Sequence, residues 1–167
     1  GITTVTPIAV ARYISALVNG GTVYDAHVVK KVVDSKGSTV YETEPVVYNQ
    51  LDVKEEYLNA LKEGMKDVIS GEDATTATRQ FEDCIYKDQL GGKTGTAQVN
   101  NINLENNSWF VAFAPYDKPE IAIVVFIPSG YAGGYSGYTV RVIAEHYLDQ
   151  KYNTQTDDIP EKDSIVY

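Results

Sequence analysis

The spacing of apolar residues predicts two amphipathic helices in the first half of the chain. Thr6-Pro7 should start the first helix, because a hydroxyl N-cap followed by proline favours helix initiation, and Asn19-Gly20-Gly21 should end it. Asp52 and Glu55 resemble a capping box for the second helix, which should end at Gly71. Apolar residues recur at helical spacing in both helices: Val10, Ala11, Ile14, Leu17 and Val18, then Val53, Tyr57, Leu58, Leu61, Met65, Val68 and Ile69.

The segment between these helices has the pattern of a β-hairpin. Residues 26–33 are rich in β-branched side chains, Asp34-Ser35-Lys36-Gly37 favours a turn, and residues 38–42 are extended again. After the second helix the chain is polar from Glu72 to Gln89, with a helical turn expected near residues 75–79.

Three strands and a final helix are predicted in the second half. The strands cover residues 90–99, 108–114 and 120–127, and the short link between the last two predicts an antiparallel pair. The run 121–127 is apolar at every position, so this strand should be covered on both faces. The last helix has an apolar stripe of Val140, Ile143, Ala144, Tyr147 and Leu148. These elements predict an α+β fold, an antiparallel sheet packed by helices, with some covering elements outside this sequence.

Composition limits the chemistry that the chain can carry. Its 167 residues fit one domain, and a net charge of −9 argues against a nucleic acid partner. No apolar run is long enough to span a membrane. Cys84 is the sole cysteine, and it and the two histidines are expected to be structural, so neither a metal ion nor a cofactor is expected. Because the chain opens at Gly1 without Met, we expect it to be a portion of a longer protein.

The segment Gly92-Lys93-Thr94-Gly95-Thr96 is the main candidate for chemistry. It ends like a phosphate-binding P-loop, but that pattern needs glycine at position 87, where this chain has Lys87, and a helix from Lys93 onward. The glycine and the extended residues that follow do not favour that helix. The tripeptide alone is also compatible with an ordinary surface strand.

A third interpretation is the Lys-Thr-Gly strand of serine acyl-transfer enzymes. A strand lysine would supply positive charge beside a nucleophile, and Gly95 would let a substrate backbone approach closely. The hydroxyls of Thr94 and Thr96 could donate to a carboxylate, and the Thr96 N–H could donate to an oxyanion.

The order of motifs along almost the whole chain, from Thr3 to about Tyr152, resembles the penicillin-binding protein transpeptidase domain. The Thr-Pro helix that leads to Asn-Gly-Gly resembles a helix of that family, and further resemblances lie at residues 65–69, 92–98, 108–115 and 121–127. Thr-Ala-Gln after Gly95 and Phe-Ala-Pro at residues 113–115 are similar to the class B, monofunctional members. The resemblance implies part of the serine β-lactamase and penicillin-binding protein fold.

The resemblance also implies roles for the strand residues. Lys93 would lie beside the catalytic serine and support proton transfer, and Thr96 would supply one oxyanion-hole N–H. Thr94 and Thr96 would hold the carboxylate of a D-Ala-D-Ala stem peptide or of a β-lactam, with Gly95 beside the substrate and Gln98 flanking the channel. Lys93 and Thr96 are therefore the catalytic candidates, and Thr94, Gly95, Thr96 and Gln98 the substrate-binding candidates.

Two motifs of the family are missing. Neither Ser-x-x-Lys nor Ser-x-Asn occurs in the chain, so the nucleophile is absent and the chain alone is expected to be inactive. We therefore interpret residues 1–152 as the C-terminal portion of a transpeptidase domain and residues 153–167 as a flexible acidic tail. The whole protein would work at the extracytoplasmic face of the bacterial membrane, held by an N-terminal anchor. Its partners would be stem peptides, β-lactams, the missing half of the domain and membrane proteins of cell-wall synthesis.

Two alternatives remain at this point. A serine β-lactamase or a β-lactam sensor shares the Lys-Thr-Gly strand, and a non-catalytic binding module could keep the groove without a serine. The Gly-rich segment 129–138 carries Tyr131, Tyr135 and Tyr138, which could line the substrate channel or be exposed loop residues.

Overall fold

Three strands that follow one another in the sequence form the central sheet of the computed structural model, which describes residues 4–72, 75–99 and 104–153. The strands β5 (Gly91–Ala97), β6 (Asn107–Ala114) and β7 (Ile121–Ile127) are antiparallel, in the order β5-β6-β7. Lys93 lies opposite Val111, and Ala112 lies opposite Ile123. Among the described residues, β5 is therefore an edge strand.

Within the described residues, four helices accompany the sheet. They are α1 (Pro7–Val18), α2 (Glu55–Ser70), the short α3 (Thr76–Arg79) and α4 (Gly137–Asn153), and two 3-10 turns cover Lys87–Gln89 and Gly133–Ser136. The predicted α+β class and antiparallel sheet are confirmed.

The larger core lies between the sheet and α4. Val140, Ala144 and Leu148 of the helix are fully buried there against Phe110 and residues of β7. Residues four and eight positions apart lie on one face of a helix, so these three residues of the predicted stripe are buried together. Ile143 of the predicted stripe is exposed instead.

A smaller core lies on the other face of the sheet. Ile14 of α1, Met65 of α2 and Phe113 of β6 form it, and Ala122 of β7 packs against it. Since Ile123 belongs to the larger core, consecutive residues of β7 face opposite cores, as strand geometry requires. The prediction that this strand is covered on both faces holds near Ala122 and Ile123. Toward the other end, Val124 and Phe126 are only half-buried.

Two small antiparallel pairs separate α1 from α2. The predicted hairpin is present as β2 (Lys31–Val33) and β3 (Thr39–Glu42), and the Asp34 carboxylate accepts hydrogen bonds from two turn N–H groups. The pair of β1 (Thr22–Tyr24) with β4 (Val47–Gln50) was not predicted from the sequence.

Some element boundaries differ from the predictions. The N-cap of α2 is Lys54, without a side-chain cap hydrogen bond, so the predicted capping box of Asp52 and Glu55 is wrong. Glu55 instead lies in the first turn, where a carboxylate complements the helix dipole. β5 ends at Ala97 rather than residue 99.

The predicted acidic tail lies outside the described residues, apart from Asn153 at the end of α4. Part of the asparagine-rich loop, at residues 100–103, lies outside them as well. Within the described ranges, no helix is long and apolar enough to cross a membrane.

Candidate active site

Two glycines bring β5 from the core to the surface. Gly91 and Gly92 are buried, whereas Lys93 is exposed. A Cβ atom at position 92 would lie 2.7 Å from Phe110 Cε1 and 2.9 Å from Ile69 Cδ1. The two glycines are therefore needed because core side chains pack directly on the strand backbone. This packing fixes the start of the Lys-Thr-Gly segment.

The predicted site residues form one accessible stretch along the edge strand. Lys93 and Thr96 are exposed, and Thr94 and Gly95 are half-buried. The Lys93 ammonium donates to the Thr94 carbonyl at 3.1 Å and to Thr94 Oγ1 at 3.4 Å. Gln98 follows the end of β5 and is also exposed. The segment is thus an accessible row of hydrogen-bond donors, as the acyl-transfer interpretation requires.

The extended geometry decides against the P-loop. A phosphate-binding loop would pass into a helix at Lys93, and the chain instead stays in β5 through Ala97. Strand geometry also separates the side chains by face. Thr94 and Thr96 lie opposite Phe110 and Ser108, whereas Lys93 lies opposite Val111, so its side chain starts on the other face of the sheet. Its ammonium nevertheless reaches back to Thr94 Oγ1 at the strand edge.

The segment before α4 folds onto β5 at the same place. The Gly133 N–H donates to Thr96 Oγ1 at 3.0 Å. A Cβ atom at position 133 would lie 2.7 Å from Gly95 N, so the backbones touch. Gly134 is similarly close to Thr76, where a Cβ would lie 2.7 Å from Cγ2. Gly133 was not predicted as part of the site, although a Gly-Gly doublet is a sequence signal for a close backbone approach.

The approach to Gly133 is a tight turn lined by tyrosines. Ser129 and Tyr131 have positive φ values of 52° and 65°, a conformation that is unfavourable for residues with a Cβ. Gly130, Tyr131 and Tyr135 line an open hollow of about 390 Å³. Tyr131, Tyr135 and Tyr138 are all exposed, at about 60% of their surface. All three rings therefore lie at the surface of the segment 129–138.

Two buried serines lie behind this contact. Ser108 and Ser136 are fully buried, and their hydroxyl oxygens are 2.8 Å apart. Ser108 Oγ also lies 2.8 Å from the Ala132 carbonyl oxygen, and Ser136 Oγ lies 2.8 Å from the Gly133 carbonyl oxygen. The hydroxyls thus support the backbone of the turn whose N–H reaches Thr96.

The cysteine does not belong to this site. Cys84 is buried in the larger core, and burial raises the pKa of its thiol to about 11. A thiol with so high a pKa is a poor nucleophile at neutral pH, in keeping with the structural role that we expected. Among the described residues, no group of three or more His, Cys, Asp or Glu side chains could hold a metal ion.

The family model for the penicillin-binding protein transpeptidase domain matches residues 1–148 of the chain. This chain belongs to that family. The family and the class B branch predicted from the motifs are confirmed.

The similar proteins are considerably longer than this chain. The chain is 30% identical to the peptidoglycan D,D-transpeptidase MrdA of Haemophilus influenzae, over 90% of the chain and 25% of that protein. It is 32% identical to penicillin-binding protein 2A of Bacillus subtilis, over 89% of the chain and 22% of that protein. The chain thus spans about a quarter of the length of these relatives.

A solved structure has the same fold. Penicillin-binding protein A of M. tuberculosis, in its imipenem acyl-enzyme complex, superimposes with a TM-score of 0.72 and 22% sequence identity. The match covers 89% of this chain and 32% of that chain. At this identity the likeness concerns the fold, and it confirms the predicted partial penicillin-binding protein fold.

Proposed function

We propose that this chain is the C-terminal portion, residues 1–152, of the transpeptidase domain of a peptidoglycan D,D-transpeptidase. The observation that carries the proposal is the accessible edge strand with Lys93, Thr94 and Thr96 in a row, within a family whose relatives include enzymes of that name. The protein would cross-link D-Ala-D-Ala stem peptides by serine acyl transfer.

In this proposal each strand residue has one task. The Lys93 ammonium supplies positive charge that supports proton transfer at the serine. The Thr96 N–H donates to the oxyanion, and its hydroxyl and that of Thr94 donate to the substrate carboxylate. Because Thr96 Oγ1 already accepts a hydrogen bond from Gly133, its own O–H is left to act as a donor. Gly95 would lie against the substrate, and Gln98 would flank the channel.

The nucleophile comes from elsewhere in the proposal. Since the chain contains no Ser-x-x-Lys and no Ser-x-Asn sequence, a preceding half of the domain would supply the serine and its lysine base. The isolated chain would then be inactive. The half-buried outer residues of β7, Val124 and Phe126, support this arrangement, because an apolar strand favours cover on both faces.

The same reasoning extends to location and partners. A transpeptidase of peptidoglycan acts where its substrate is, so we place the whole protein at the extracytoplasmic face of the bacterial membrane, with an N-terminal anchor. β-Lactams would acylate its serine, and the M. tuberculosis protein forms an acyl-enzyme complex with imipenem. Membrane proteins of cell-wall synthesis would be further partners.

Labelling with a fluorescent penicillin tests the proposal. The polypeptide that joins this chain to its preceding half should be acylated at the serine of Ser-x-x-Lys, whereas the isolated chain should not be labelled. In the joined polypeptide Lys93→Ala should slow acylation by about 10²-fold or more, the scale of a lost proton-transfer partner. The control Lys36→Ala removes an exposed lysine of the β2–β3 turn and should have no effect. Labelling of the isolated chain would refute the proposal that the nucleophilic serine lies in the preceding half of the domain.

The fate of the acyl-enzyme separates the alternatives. A transpeptidase or a sensor should release the penicilloyl group slowly, and only a transpeptidase should also join D-Ala-D-Ala peptides to an acceptor amine. Rapid release would favour a β-lactamase, and no acylation of the joined polypeptide would favour a binding module. The relatives named as transpeptidases support the first outcome.

A further inference from the structure

We infer that the buried hydroxyls of Ser108 and Ser136 are positioning groups for the carboxylate-binding hydroxyl of Thr96. The inference rests on the proposed function, because it assigns a task within the same site. Neither serine is exposed, and Ser108 lies directly across the sheet from Thr96 in the β5–β6 register. Both hydroxyls therefore act through the backbone between them and Thr96 rather than on a ligand.

One peptide group connects the serines to Thr96. The Ala132 carbonyl and the Gly133 N–H belong to the same peptide unit. On one side, Ser108 Oγ donates to the Ala132 carbonyl oxygen at 2.8 Å, and on the other the Gly133 N–H donates to Thr96 Oγ1 at 3.0 Å. A hydrogen bond to the carbonyl polarises the amide and makes its N–H a better donor. Ser108 thereby strengthens the bond that fixes the Thr96 hydroxyl.

The number of hydroxyl protons limits how many of the serine contacts can be hydrogen bonds at the same time. Ser108 and Ser136 have one proton each but make three short contacts: with each other, with the Ala132 carbonyl and with the Gly133 carbonyl. Two of these contacts can be hydrogen bonds at any moment. If Ser136 donates to Ser108 and Ser108 to Ala132, every donor points along one chain toward Thr96.

In that arrangement the hydroxyl proton of Thr96 is directed away from the serines. The order of the groups is Ser136, Ser108, the Ala132–Gly133 peptide and Thr96, and each group accepts from the one before it. The Gly133 N–H thus occupies one lone pair of Thr96 Oγ1, which leaves the Thr96 O–H to be directed away from Gly133, toward the exposed side of the strand. A hydroxyl held as a donor recognises a carboxylate and has no comparable preference for an ester, which lacks the negative charge.

The test compares two probes on the same protein. In the joined polypeptide, the acylation rate constants for benzylpenicillin and for its methyl ester give an acid-to-ester ratio. Because both probes meet the same sample, this ratio does not depend on the fraction of protein that is folded. Ser108→Ala and Ser136→Ala should each lower it by about 3- to 10-fold, the effect of losing one hydrogen bond of ordinary strength.

Two further variants sharpen the comparison. Ser70→Ala is the matched control, because its hydroxyl also contacts a backbone carbonyl, that of Lys66, but within α2. It should leave the ratio unchanged. Thr96→Val should lower the ratio, and adding Ser108→Ala to Thr96→Val should lower it no further, since both changes act on one interaction. An unchanged ratio in Ser108→Ala, with a lowered ratio in Thr96→Val, would overturn the inference.

A second measurement is independent of acylation and uses this chain as it is. Amide hydrogen exchange and the proton chemical shift of Gly133, read by NMR, report the strength of its bond to Thr96. Ser108→Ala should speed exchange at Gly133 by about 3- to 10-fold and move its proton upfield, and Ser70→Ala should do neither. If Ser108→Ala left the Gly133 amide unaltered, the inference that Ser108 acts on Thr96 through this peptide group would be overturned. This result does not depend on acylation of the joined polypeptide, so it can be told apart from a failure of the proposed function.

Discussion

Replacing Gly92 by alanine tests the packing that brings β5 out of the core. The added Cβ would lie 2.7 Å from Phe110 Cε1, 2.9 Å from Ile69 Cδ1 and 3.0 Å from the Val111 carbonyl oxygen. Carbon atoms in proteins pack best at about 3.5–4.0 Å, so the nearest contact requires a shift of roughly 0.8 Å. Ile69 and Phe110 are both fully buried, so neither side chain has much room to move aside.

The expected cost follows from these contacts. Overpacking of a dense core costs about 1–3 kcal/mol, and alanine returns about 0.4–1 kcal/mol by restricting the unfolded chain. At the middle of these two ranges, we expect Gly92→Ala to lower the free energy of unfolding by about 1.3 kcal/mol. Gly64→Ala is the matched control, because a Cβ at this position of α2 would have no atom within 4 Å. It should raise the stability by about 0.5–1 kcal/mol through helix propensity.

Urea unfolding followed by circular dichroism measures both variants on the same chain. The transition midpoints should move in opposite directions, and the slopes should stay equal to that of the wild type. If Gly92→Ala were as stable as the wild type, the strand would not lie against Phe110 and Ile69 as described. A Gly64→Ala variant that lost as much stability as Gly92→Ala would likewise refute the reasoning.

Three further predictions concern the core and the charged surface. Leu148→Ala leaves a cavity at a fully buried position, so it should lower the free energy of unfolding, measured by urea titration, by about 2–5 kcal/mol. The control Ile143→Ala removes an exposed side chain of the same helix and should lower this free energy far less. Burial raises the pKa of the Cys84 thiol to about 11. At pH 8 we therefore expect iodoacetamide to react with Cys84 about 100-fold more slowly in the folded chain than in urea, and equal rates would contradict its burial. The pKa of Glu120 lies below its ordinary value of 4.5, mainly because its carboxylate accepts a hydrogen bond from Lys151 and also one from Tyr147. The ionised carboxylate therefore stabilises the fold above pH 4.5, and this stabilisation is lost as the pH falls through the lowered pKa. Glu120→Gln should therefore be less stable than the wild type at pH 7 and equal to it near pH 2, and a difference that persists in acid would contradict this linkage.

The helices and main strands could be predicted because their signals are local. The stripe of Val140, Ala144 and Leu148 repeats at helical spacing, and the run 121–127 is too apolar for a loop. The segment around Lys93 could be assigned to a strand for a similar reason, since the residues after it are extended and hold no helix signal. The roles of the individual site residues came from the family resemblance and remain predictions.

The missed features all depend on contacts between distant segments. β1 and β4 pair across a gap of more than twenty residues, and their short exposed strands carry little signal of their own. The capping box at Asp52 is a separate case, a wrong prediction from a local pattern, because the N-cap of α2 is Lys54. Ser108 and Ser136 resemble ordinary polar residues in the sequence and show their function only once they are buried together.

The main helices, the three strands of the central sheet and the Lys-Thr-Gly segment could be recognised from the chain alone, because apolar periodicity and turn residues act over a few neighbouring positions. The tertiary structure decided that this segment lies at an edge of the described sheet, and it brought Gly133 against Gly95 and Thr96. The physical reason is that such contacts join residues almost forty positions apart. Their existence depends on how α4 and the sheet pack together, which no local pattern specifies.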